Sequence, residues 1–410
     1  MTSISCRSCA APLNQVFCDL GLSPISNSFI KVENKNKEET FYPLKVLVCD
    51  QCWLVQLDDC PKSELHFHDD YVYFSSFSES WLNHAKLYVK SMIERFSLNS
   101  QSHVIEIASN DGYLLQNFLQ YHIPCLGIEP TANTAAVARA KGIETRECFF
   151  SCNVAKQLSD EGKKADLLLG NNVLAHVPNI NDFVSGMARV LKTEGVITLE
   201  FPHLLKLIEN NQFDTIYHEH YSYLSLISLL PIFERAGLRI FDVDLLPTHG
   251  GSLRVYLCHK TAGHCDSSSL KEILMEEENF GLKKISTYTS FEKRVNDTKN
   301  KLLRFMIEAK QQKKRIIAYG AAAKGNTLLN YCGIRTDFID FVVDKNPTKQ
   351  GRFLPGSRIP VVAPEAIYEL KPDYILILPW NIKEEVMRQM NQVRSWNGKF
   401  IVSIPELEVL

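Results

Sequence analysis

Hydrophobic and polar positions follow two different periods along this chain, and the changes of period predict its folded units. Residues 103–119, HVIEIASNDGYLLQNFL, give a short apolar strand, a turn of small and polar residues, and a helix whose apolar positions recur at helical spacing. A second apolar strand ends at Glu129, and further apolar strands cover residues 165–170 and 196–201. Strands that alternate with helices predict an α/β domain with a mostly parallel sheet.

The last third of the chain repeats this order after a charged stretch of helical pattern. The charges of residues 267–314 are typical of solvated helix faces. Residues 315–333, RIIAYGAAAKGNTLLNYCG, then give a strand, a loop of small residues and a helix, and the next strand ends at Asp344. The repeat predicts a second Rossmann-like domain.

Two C-x-x-C pairs stand near the start of the chain, Cys6 with Cys9 and Cys49 with Cys52. The turn of each pair aims two thiolates at one point. Four thiolates suit a tetrahedral zinc ion with no open position for water, so the site is predicted to be structural, with four ordinary thiols as the alternative. The remaining cysteines show no such pairing and are predicted to be small buried residues.

These patterns predict a zinc-binding module followed by two Rossmann-like three-layer αβα domains with mostly parallel sheets. A chain of 410 residues is longer than one hydrophobic core usually serves, which also favours several domains. We expect the zinc module over residues 1–70, the first α/β domain over 71–265, and a helical linker with the second α/β domain over 266–410.

Charge and composition exclude some classes of partner. The 45 basic residues nearly balance the 47 acidic ones, so the basic surface that non-specific nucleic-acid binding requires is not expected, and a small-molecule partner is favoured. No apolar stretch approaches the roughly 20 residues needed to span a bilayer, and the first residues lack a signal-peptide pattern. We expect a cytoplasmic protein that does not bind membranes.

The loop after the first strand of residues 103–119 is a candidate cofactor site, because ligands of such sheets bind at the carboxyl ends of the strands. It lacks the glycine-rich fingerprint that cradles a pyrophosphate, so a cofactor without phosphates, S-adenosylmethionine, fits better than a dinucleotide. Phe149 and Phe150 are candidates to enclose adenine or are core residues. The predicted cofactor-binding residues are Glu106, Ala108, Asn110, Gly112, Glu129, Phe149, Phe150, Asn171 and Asn172.

Residues 217–223, YHEHYSY, place seven polar or proton-handling side chains in a row, which core packing does not require. Two imidazoles beside a carboxylate and phenols can supply a base, a partner that sets its protonation, and hydrogen bonds to a developing oxyanion. A hydrogen-bonded polar turn, or a metal site with His218 and His220 on one side of a strand, would explain the same residues.

Two later segments are candidates for binding an anionic ligand. Residues 320–325, GAAAKG, expose backbone N–H groups at the start of a helix, and Lys324 adds a charge, although the spacing is not that of a Walker loop. Residues 248–257, THGGSLRVYL, combine a glycine pair with Arg254, which could grip a phosphate. A packing scaffold for the first segment and a plain hairpin with a surface arginine for the second are the alternatives.

An aromatic and hydroxyl-rich stretch, residues 69–88, separates the zinc module from the first α/β domain, and a helix is predicted to begin in it near Glu79. Its first half is either a packed linker or the rim of a ligand site. In the second interpretation Tyr71, Tyr73, Ser75 and Ser76 face the ligand.

These motifs together resemble one enzyme family, the sugar C-methyltransferases that methylate C-3 of a nucleotide-linked 4-keto-6-deoxysugar. The resemblance covers almost the whole chain and rests on the C-x-x-C pairs and on DYVYFSSFSESW, EIASNDGYLL, GIEP, NNVLAHVPN, IYHEHYSYLS, THGGSLRV and YGAAAKGNTLLN. It implies a zinc-binding domain, a domain that binds S-adenosylmethionine, and a C-terminal domain of related fold, which enclose the substrate. The chain departs from many methyltransferases at Cys148, where they carry an acid before the aromatic pair.

The resemblance also implies residue roles. The candidate base is His220, supported by Tyr217, Glu219, His176 and Tyr71. The implied substrate-binding residues are Tyr73, Ser75, Ser76, His249, Arg254, Lys324, Asn326, Arg352 and Asn381.

The expected reaction is abstraction of the C-3 proton, formation of an enolate and transfer of the methyl group of S-adenosylmethionine, with Zn²⁺ purely structural. The expected partner is a nucleotide sugar, with a dTDP-sugar favoured, and the expected assembly is a monomer or weak dimer. Two other functions stay open on the sequence: a nicotinamide-dependent nucleotide-sugar oxidoreductase, disfavoured by the missing glycine fingerprint, and a non-catalytic zinc-containing binding module.

Overall fold

The computed structural model describes residues 4–58 and 74–410, and these residues form three β-sheets with helices packed on them. The first sheet is antiparallel, in the order β1-β2-β3-β9. Its strands are β1 (Gln15–Ser23), β2 (Tyr42–Val48), β3 (Val55–Leu57) and β9 (Ser222–Tyr223). Strand β9 therefore brings a distant part of the chain, directly after the histidine-rich run, into the sheet of the cysteine module.

The second sheet has seven strands in the order β10-β11-β8-β7-β4-β5-β6. Neighbouring strands are parallel except that β11 is antiparallel to both β10 and β8. Strand order reverses between β4 and β7, and a crevice for ligands opens at the carboxyl ends of the strands at such a point. The strands are β4 (Val104–Ile107), β5 (Cys125–Ile128), β6 (Glu144–Arg146), β7 (Ala165–Asn171), β8 (Leu191–Pro202), β10 (Leu238–Leu246) and β11 (Ser252–His259).

Seven helices belong to this part of the chain. They are α1 (Glu79–Phe96), α2 (Gln116–Leu119), α3 (Ala132–Ala140), α4 (Cys152–Asp160), α5 (Ile180–Val190), α6 (Leu204–Glu209) and α7 (Leu226–Arg235). Helix α1 begins as predicted, because the Ser78 side chain accepts from the Trp81 amide and caps it. Helix α2 is shorter than predicted, since the Asn117 side chain bonds the carbonyls of Tyr113 and Leu114, which competes with regular helix bonds.

The third sheet has the order β14-β13-β12-β15-β16-β17 and is parallel except for β17. Its strands are β12 (Ile316–Tyr319), β13 (Val342–Val343), β14 (Val361–Val362), β15 (Tyr374–Ile377), β16 (Lys399–Val402) and β17 (Glu408–Val409). Three helices lead to it and three pack within its domain: α8 (Ser268–Phe280), α9 (Ile285–Thr289), α10 (Phe291–Gln311), α11 (Ala323–Cys332), α12 (Ala366–Leu370) and α13 (Lys383–Gln389).

The predicted fold class is confirmed, and the hydrophobic cores show how its parts join. One core runs from the first sheet through the linker helices into the third sheet, with Phe17 of β1 stacked on Phe291 of α10 at 4.6 Å between ring centroids. Residues 213–223 therefore lie where all three parts of the molecule meet. Among the residues that the structure describes, no helix is long and apolar enough to cross a membrane.

Candidate active site

The two C-x-x-C turns bring their four sulfur atoms together, all within 4.8 Å of one another. The Sγ atoms of Cys6 and Cys52 are 3.5 Å apart, and those of Cys9 and Cys49 are 3.6 Å apart. Beside them, Gln56 donates from Nε2 to Cys6 Sγ at 3.2 Å, which orients that sulfur. A closed set of four thiolates, mostly buried, fits a structural zinc ion.

The loop after β4 has an unusual, tightly packed backbone. Ala108, Asn110 and Gly112 all adopt left-handed φ angles, and a Cβ at Gly112 would lie 2.3 Å from Ile143 Cδ1, so a side chain does not fit there. Glu129, at the end of β5, fixes this loop by accepting from the Asn110 amide at 2.8 Å. Its other oxygen accepts from the Thr131 amide at 2.9 Å, so the carboxylate is held at both ends.

Several buried polar atoms at the same strand ends lack hydrogen-bond partners among the described residues. They are both carboxylate oxygens of Glu106, both side-chain amide atoms of Asn171, and Oδ1 of Asn172. Burial, with the charges of Glu129 and Asp111, raises the pKa of Glu106 well above its usual value. Unpaired buried polar groups are costly, so this crevice is suited to a cationic ligand that carries hydroxyl and amino groups.

The aromatic pair and the two serines make different kinds of contact. Phe150 packs edge-on against Phe183 at 5.3 Å, as a core residue does, whereas Phe149 is 43% exposed. The Ser75 amide donates to Asn110 Oδ1 at 2.9 Å, and Ser76 accepts from Lys141, which also bonds the Asp111 carbonyl. Both serines contact the cofactor loop, and their assignment to the substrate stays a prediction. Tyr71 and Tyr73 lie outside the described residues.

Residues 217–220 form a turn, closed by the bond from the His220 amide to the Tyr217 carbonyl at 2.9 Å. The His220 ring donates from Nδ1 to the Thr215 carbonyl at 2.8 Å, so its Nε2 carries the lone pair. That lone pair accepts from the Tyr217 hydroxyl at 2.9 Å. The ring of His176 lies against it, with 4.7 Å between centroids. The predicted set of His220, Tyr217 and His176 is thus brought together.

Burial sets the protonation of this cluster. Burial and the neighbouring His176 hold the pKa of His220 well below its usual value, and burial lowers the pKa of His176 to about 4. Both imidazoles are therefore neutral at neutral pH. Glu219 is also buried, which raises its pKa to about 7 although Asn27 donates to it from Nδ2 at 2.7 Å.

His218 points away from this cluster. Its Nε2 donates to the Pro43 carbonyl at 3.1 Å, and its ring contacts Tyr42 edge-on at 5.9 Å, so it fastens the turn to β2. The two histidines do not share one side of a strand, and the metal-binding cluster found among the described residues is the cysteine cluster. The metal-site alternative for HEH is therefore not supported.

The small-residue loop after β12 approaches the cluster from the third sheet. Lys324 donates from Nζ to Asn381 Oδ1 at 2.7 Å and lies 4.8 Å from the centre of the Trp380 ring. Burial is the main cause that lowers the pKa of both His220 and His249, and the charge of Lys324 adds to it. Asn326 is buried, and neither polar atom of its side chain has a hydrogen-bond partner among the described residues. Arg352 lies half-buried on the loop after β13, where its amide bonds the Lys349 carbonyl.

Arg254 and His249 make different kinds of contact. Arg254 is the cross-strand partner of Glu200, to which it donates from Nη2 at 2.8 Å, and it stacks over Tyr88. This buried ion pair engages Nη2, while Nε has no hydrogen-bond partner among the described residues, and the role of Arg254 in gripping a phosphate stays a prediction. His249 accepts from the Asn172 side chain at 3.1 Å and so joins the glycine loop to the cofactor crevice.

Comparison with known proteins places the chain in a family. Residues 6–67 match the family profile described as "Putative zinc binding domain", residues 81–243 the methyltransferase domain, and residues 247–405 the C-methyltransferase C-terminal domain. The C-methyltransferase NovU of Streptomyces niveus is 35% identical over 405 residues, which cover 99% of this chain and 96% of that protein. The chain belongs to this C-methyltransferase family.

More distant similarities cover less than half of the chain. A ubiquinone biosynthesis O-methyltransferase of Bartonella quintana is 24% identical over 95 residues, covering 23% of this chain and 38% of that protein. Among solved structures, a SAM-dependent methyltransferase of Thermotoga maritima is 17% identical, covers 46% of this chain and 96% of its own, and has a TM-score of 0.35.

The C-methyltransferase uses S-adenosylmethionine as its cofactor and carries a structural zinc site, as the sequence predicted. Four residues of the site were missed: Asn27, Glu200, His84, whose Nε2 bonds Glu200 at 2.8 Å, and Asp214, which accepts from Trp380 at 2.8 Å. Glu200 had a signal, because it lies near the carboxyl end of a parallel strand, as Glu106 does. The other three had none, since their partners lie more than 100 residues away in the sequence.

Proposed function

We propose that this C-methyltransferase adds a methyl group to C-3 of a nucleotide-linked 4-keto-6-deoxysugar, with a dTDP-sugar as the favoured substrate. The observation that carries the proposal is the neutral pair His176 and His220 with Tyr217, between the polar crevice and the Lys324 loop. A base in this position suits a substrate whose acidic carbon lies between a methyl donor and an anionic nucleotide.

His220 is the base in this proposal. Its Nδ1–H is held by the Thr215 carbonyl, so Nε2 is the atom that accepts the C-3 proton. A hydrogen beside a ketone can be removed because the 4-keto oxygen takes up the charge as an enolate. The lowered pKa of His220 keeps the imidazole unprotonated at neutral pH, and the imidazolium formed in the step lies close to the new enolate charge.

Tyr217 stabilises the enolate oxygen. Its hydroxyl donates to His220 Nε2 in the free protein, and this bond is lost when Nε2 takes up the substrate proton. The hydroxyl is then available to the enolate oxygen, where its hydrogen bond is strongest in the transition state. His176 packs on the base, and Glu219 supports the turn through Asn27. Tyr71 is retained as a proposed partner on the substrate side.

The crevice at the ends of β4, β5 and β7 holds the cofactor. Glu129 meets the ribose hydroxyls, and the unpartnered acceptors of Glu106 and Asn171 are suited to the ammonium group. Bound S-adenosylmethionine supplies an electrophilic methyl group. Phe149, exposed at the edge of the crevice, is the aromatic candidate for adenine.

The start of α11 binds the diphosphate. Its first turn, which has no side-chain cap, the Lys324 ammonium and the unpartnered amide of Asn326 form a site for an anion. Asn381 orients Lys324 through its side-chain oxygen. His249, which reaches the cofactor crevice through Asn172, borders the space between the two ends of the substrate.

The experiment is mass spectrometry of a 4-keto-6-deoxy nucleotide sugar deuterated at C-3, after incubation with the protein and S-adenosylmethionine. We expect a gain of one methyl group and loss of the C-3 deuterium. Methylation that retains the deuterium would overturn C-3 as the methylated carbon. No mass change with several nucleotide sugars would overturn nucleotide sugars as the substrate class. Calorimetric titration with NAD in parallel tests the oxidoreductase alternative, which predicts NAD binding.

A further inference from the structure

The third sheet's domain contacts the segment that holds the candidate base. Trp380 donates from Nε1 to Asp214 Oδ2 at 2.8 Å, and Thr327 of α11 donates from Oγ1 to the Ile216 carbonyl at 2.9 Å. The residue between these two anchors is Thr215, whose carbonyl accepts from His220 Nδ1. The acceptor that fixes the tautomer and orientation of His220 is therefore held on both sides by the C-terminal domain.

Asp214 is an unusual residue for a simple packing contact. It is completely buried, and its Oδ1 has no hydrogen-bond partner among the described residues. Burial raises its pKa to about 6 although Lys324 attracts its negative charge. Burying a carboxylate is costly even when it is paired, because its charge is removed from water. A role beyond packing is therefore expected for the contact between Asp214 and Trp380.

Trp380 connects this contact to the proposed anion site. Lys324 lies over the face of the same indole whose N–H reaches Asp214. A Cβ at Gly250 would lie 2.4 Å from that ring, so the glycine loop packs directly on its other atoms. The indole is therefore fixed by the anion-binding loop and the glycine loop before it contacts Asp214.

We infer that Asp214 is a positioning residue through which the C-terminal domain, beyond binding the nucleotide, sets the orientation of the His220 ring. The chain of contacts is Trp380 to Asp214, Asp214 to the neighbouring Thr215 carbonyl, and that carbonyl to His220 Nδ1. The part of this inference that concerns turnover rests on the proposed role of His220 as the base.

Asp214→Ala should lower kcat roughly 10- to 100-fold, since a small displacement of a base has effects of that size. Affinity for S-adenosylmethionine should stay unchanged, because the crevice at β4 is not in this chain of contacts. Asp214→Asn keeps an oxygen that can accept from the indole and should recover most of the lost kcat. Trp380→Phe keeps the ring and removes the donor, so it should lower kcat in the same direction.

The double variant Asp214→Ala/Trp380→Phe should be no slower than Asp214→Ala, because both changes break one contact. Additive losses in kcat would overturn the inference. So would an Asp214→Asn protein that is folded by circular dichroism yet as slow as Asp214→Ala, or a change confined to the KM of the nucleotide sugar.

Nitrogen NMR of the imidazoles, with the His220 signals assigned from a His220→Asn protein, separates this inference from the proposed function. We expect the His220 Nδ1 signal to shift in Asp214→Ala. A shifted signal with unchanged kcat supports the positioning and overturns His220 as the base. If Asp214→Ala shows an unshifted signal and an unchanged kcat while His220→Asn is inactive, the positioning role of Asp214 is overturned. The assignment of His220 as the base is then unaffected.

Discussion

The imidazoles of His218 and His220 differ in which ring nitrogen carries the lone pair, because different ring nitrogens donate to backbone carbonyls. His220 donates from Nδ1 to the Thr215 carbonyl and keeps a lone pair on Nε2, whereas His218 uses Nε2 to bond the Pro43 carbonyl. Only the first arrangement leaves a basic nitrogen beside Tyr217. The letters HEH alone do not distinguish these arrangements, because the direction of each ring depends on what the turn packs against.

Replacing His220 with Asn should lower kcat by a factor of about 100 or more, because the proposed removal of the C-3 proton would lose its base. The measurement is the initial rate of methylated product by mass spectrometry, together with hydrogen–deuterium exchange at C-3 in the absence of S-adenosylmethionine. The matched control is His218→Asn in the same turn, which should lose thermal stability and keep most of its turnover. The opposite ranking of the two variants would contradict the assignment.

Glu219→Gln should change how stability depends on pH. Burial raises the pKa of this carboxyl from 4.5 to about 7, so the folded state holds the proton more tightly than the unfolded state. Its contribution is fully present below pH 4.5 and is lost as pH rises through 7, a change of about 3 kcal/mol at most. Gln cannot ionise, so the Tm of the variant relative to wild type should be higher at pH 8 than at pH 5.

Thermal scans at the two pH values provide the measurement. The exposed acid Glu33 offers the control, since Glu33→Gln should give the same Tm difference at both pH values. Parallel Tm curves for wild type and Glu219→Gln would show that Glu219 does not take up its proton on folding.

The loops at the strand ends are the proposed cofactor site, and one carboxylate connects two of them. Glu129 ends β5 yet holds the loop that follows β4, by accepting from the Asn110 amide. Glu129→Ala should therefore weaken S-adenosylmethionine binding roughly 10- to 100-fold, in line with the loss of a charged hydrogen bond. Calorimetric titration measures this. Glu144→Ala, an exposed acid on the adjacent strand β6, should bind as wild type does, and equal affinities for both variants would exclude the role of Glu129.

Periodicity predicted the helices and strands well because each element depends mainly on residues close to it in the sequence. The strands that end near Ile107, Ile128 and Tyr319 follow from local apolar runs, and the spacing within the cysteine pairs indicates their cluster. The pairing of Arg254 with Glu200 was not predicted, because it is set by the register between β11 and β8, which no local pattern contains. Asp214 carried no signal at all, since Trp380 reaches it from 166 residues away.

The molecule converges on residues 213–223, which each of its three parts holds in a different way. The first sheet binds this segment through the pairing of β9 with β3, and Asn27 and Pro43 bond Glu219 and His218. The C-terminal domain binds it through Thr327. The central sheet contributes His176 from the loop after β7. A change in any one part is therefore expected to reach the base.

Zinc removal tests this convergence, because the metal site lies in the first sheet and the chemistry does not use it. One zinc per chain is expected by elemental analysis of the purified protein, with all four thiolates as ligands. Cys49→Ser/Cys52→Ser should lose the metal and loosen β2 and β3. Because β3 pairs with β9, the adjoining turn should lose its fixed geometry, and kcat should fall by a larger factor than the affinity for S-adenosylmethionine.

Calorimetry and turnover assays on the same preparations separate the two effects. Cys265→Ser is the matched control, since this exposed thiol lies outside the cluster and its replacement should leave zinc content and kcat intact. Adding zinc back to chelator-treated wild type should restore kcat, whereas the double variant should not respond. A zinc-free protein with full kcat would mean that the turn of residues 217–220 keeps its shape without the first sheet. The bonds to Asn27 and Pro43 would then not be needed to hold that turn.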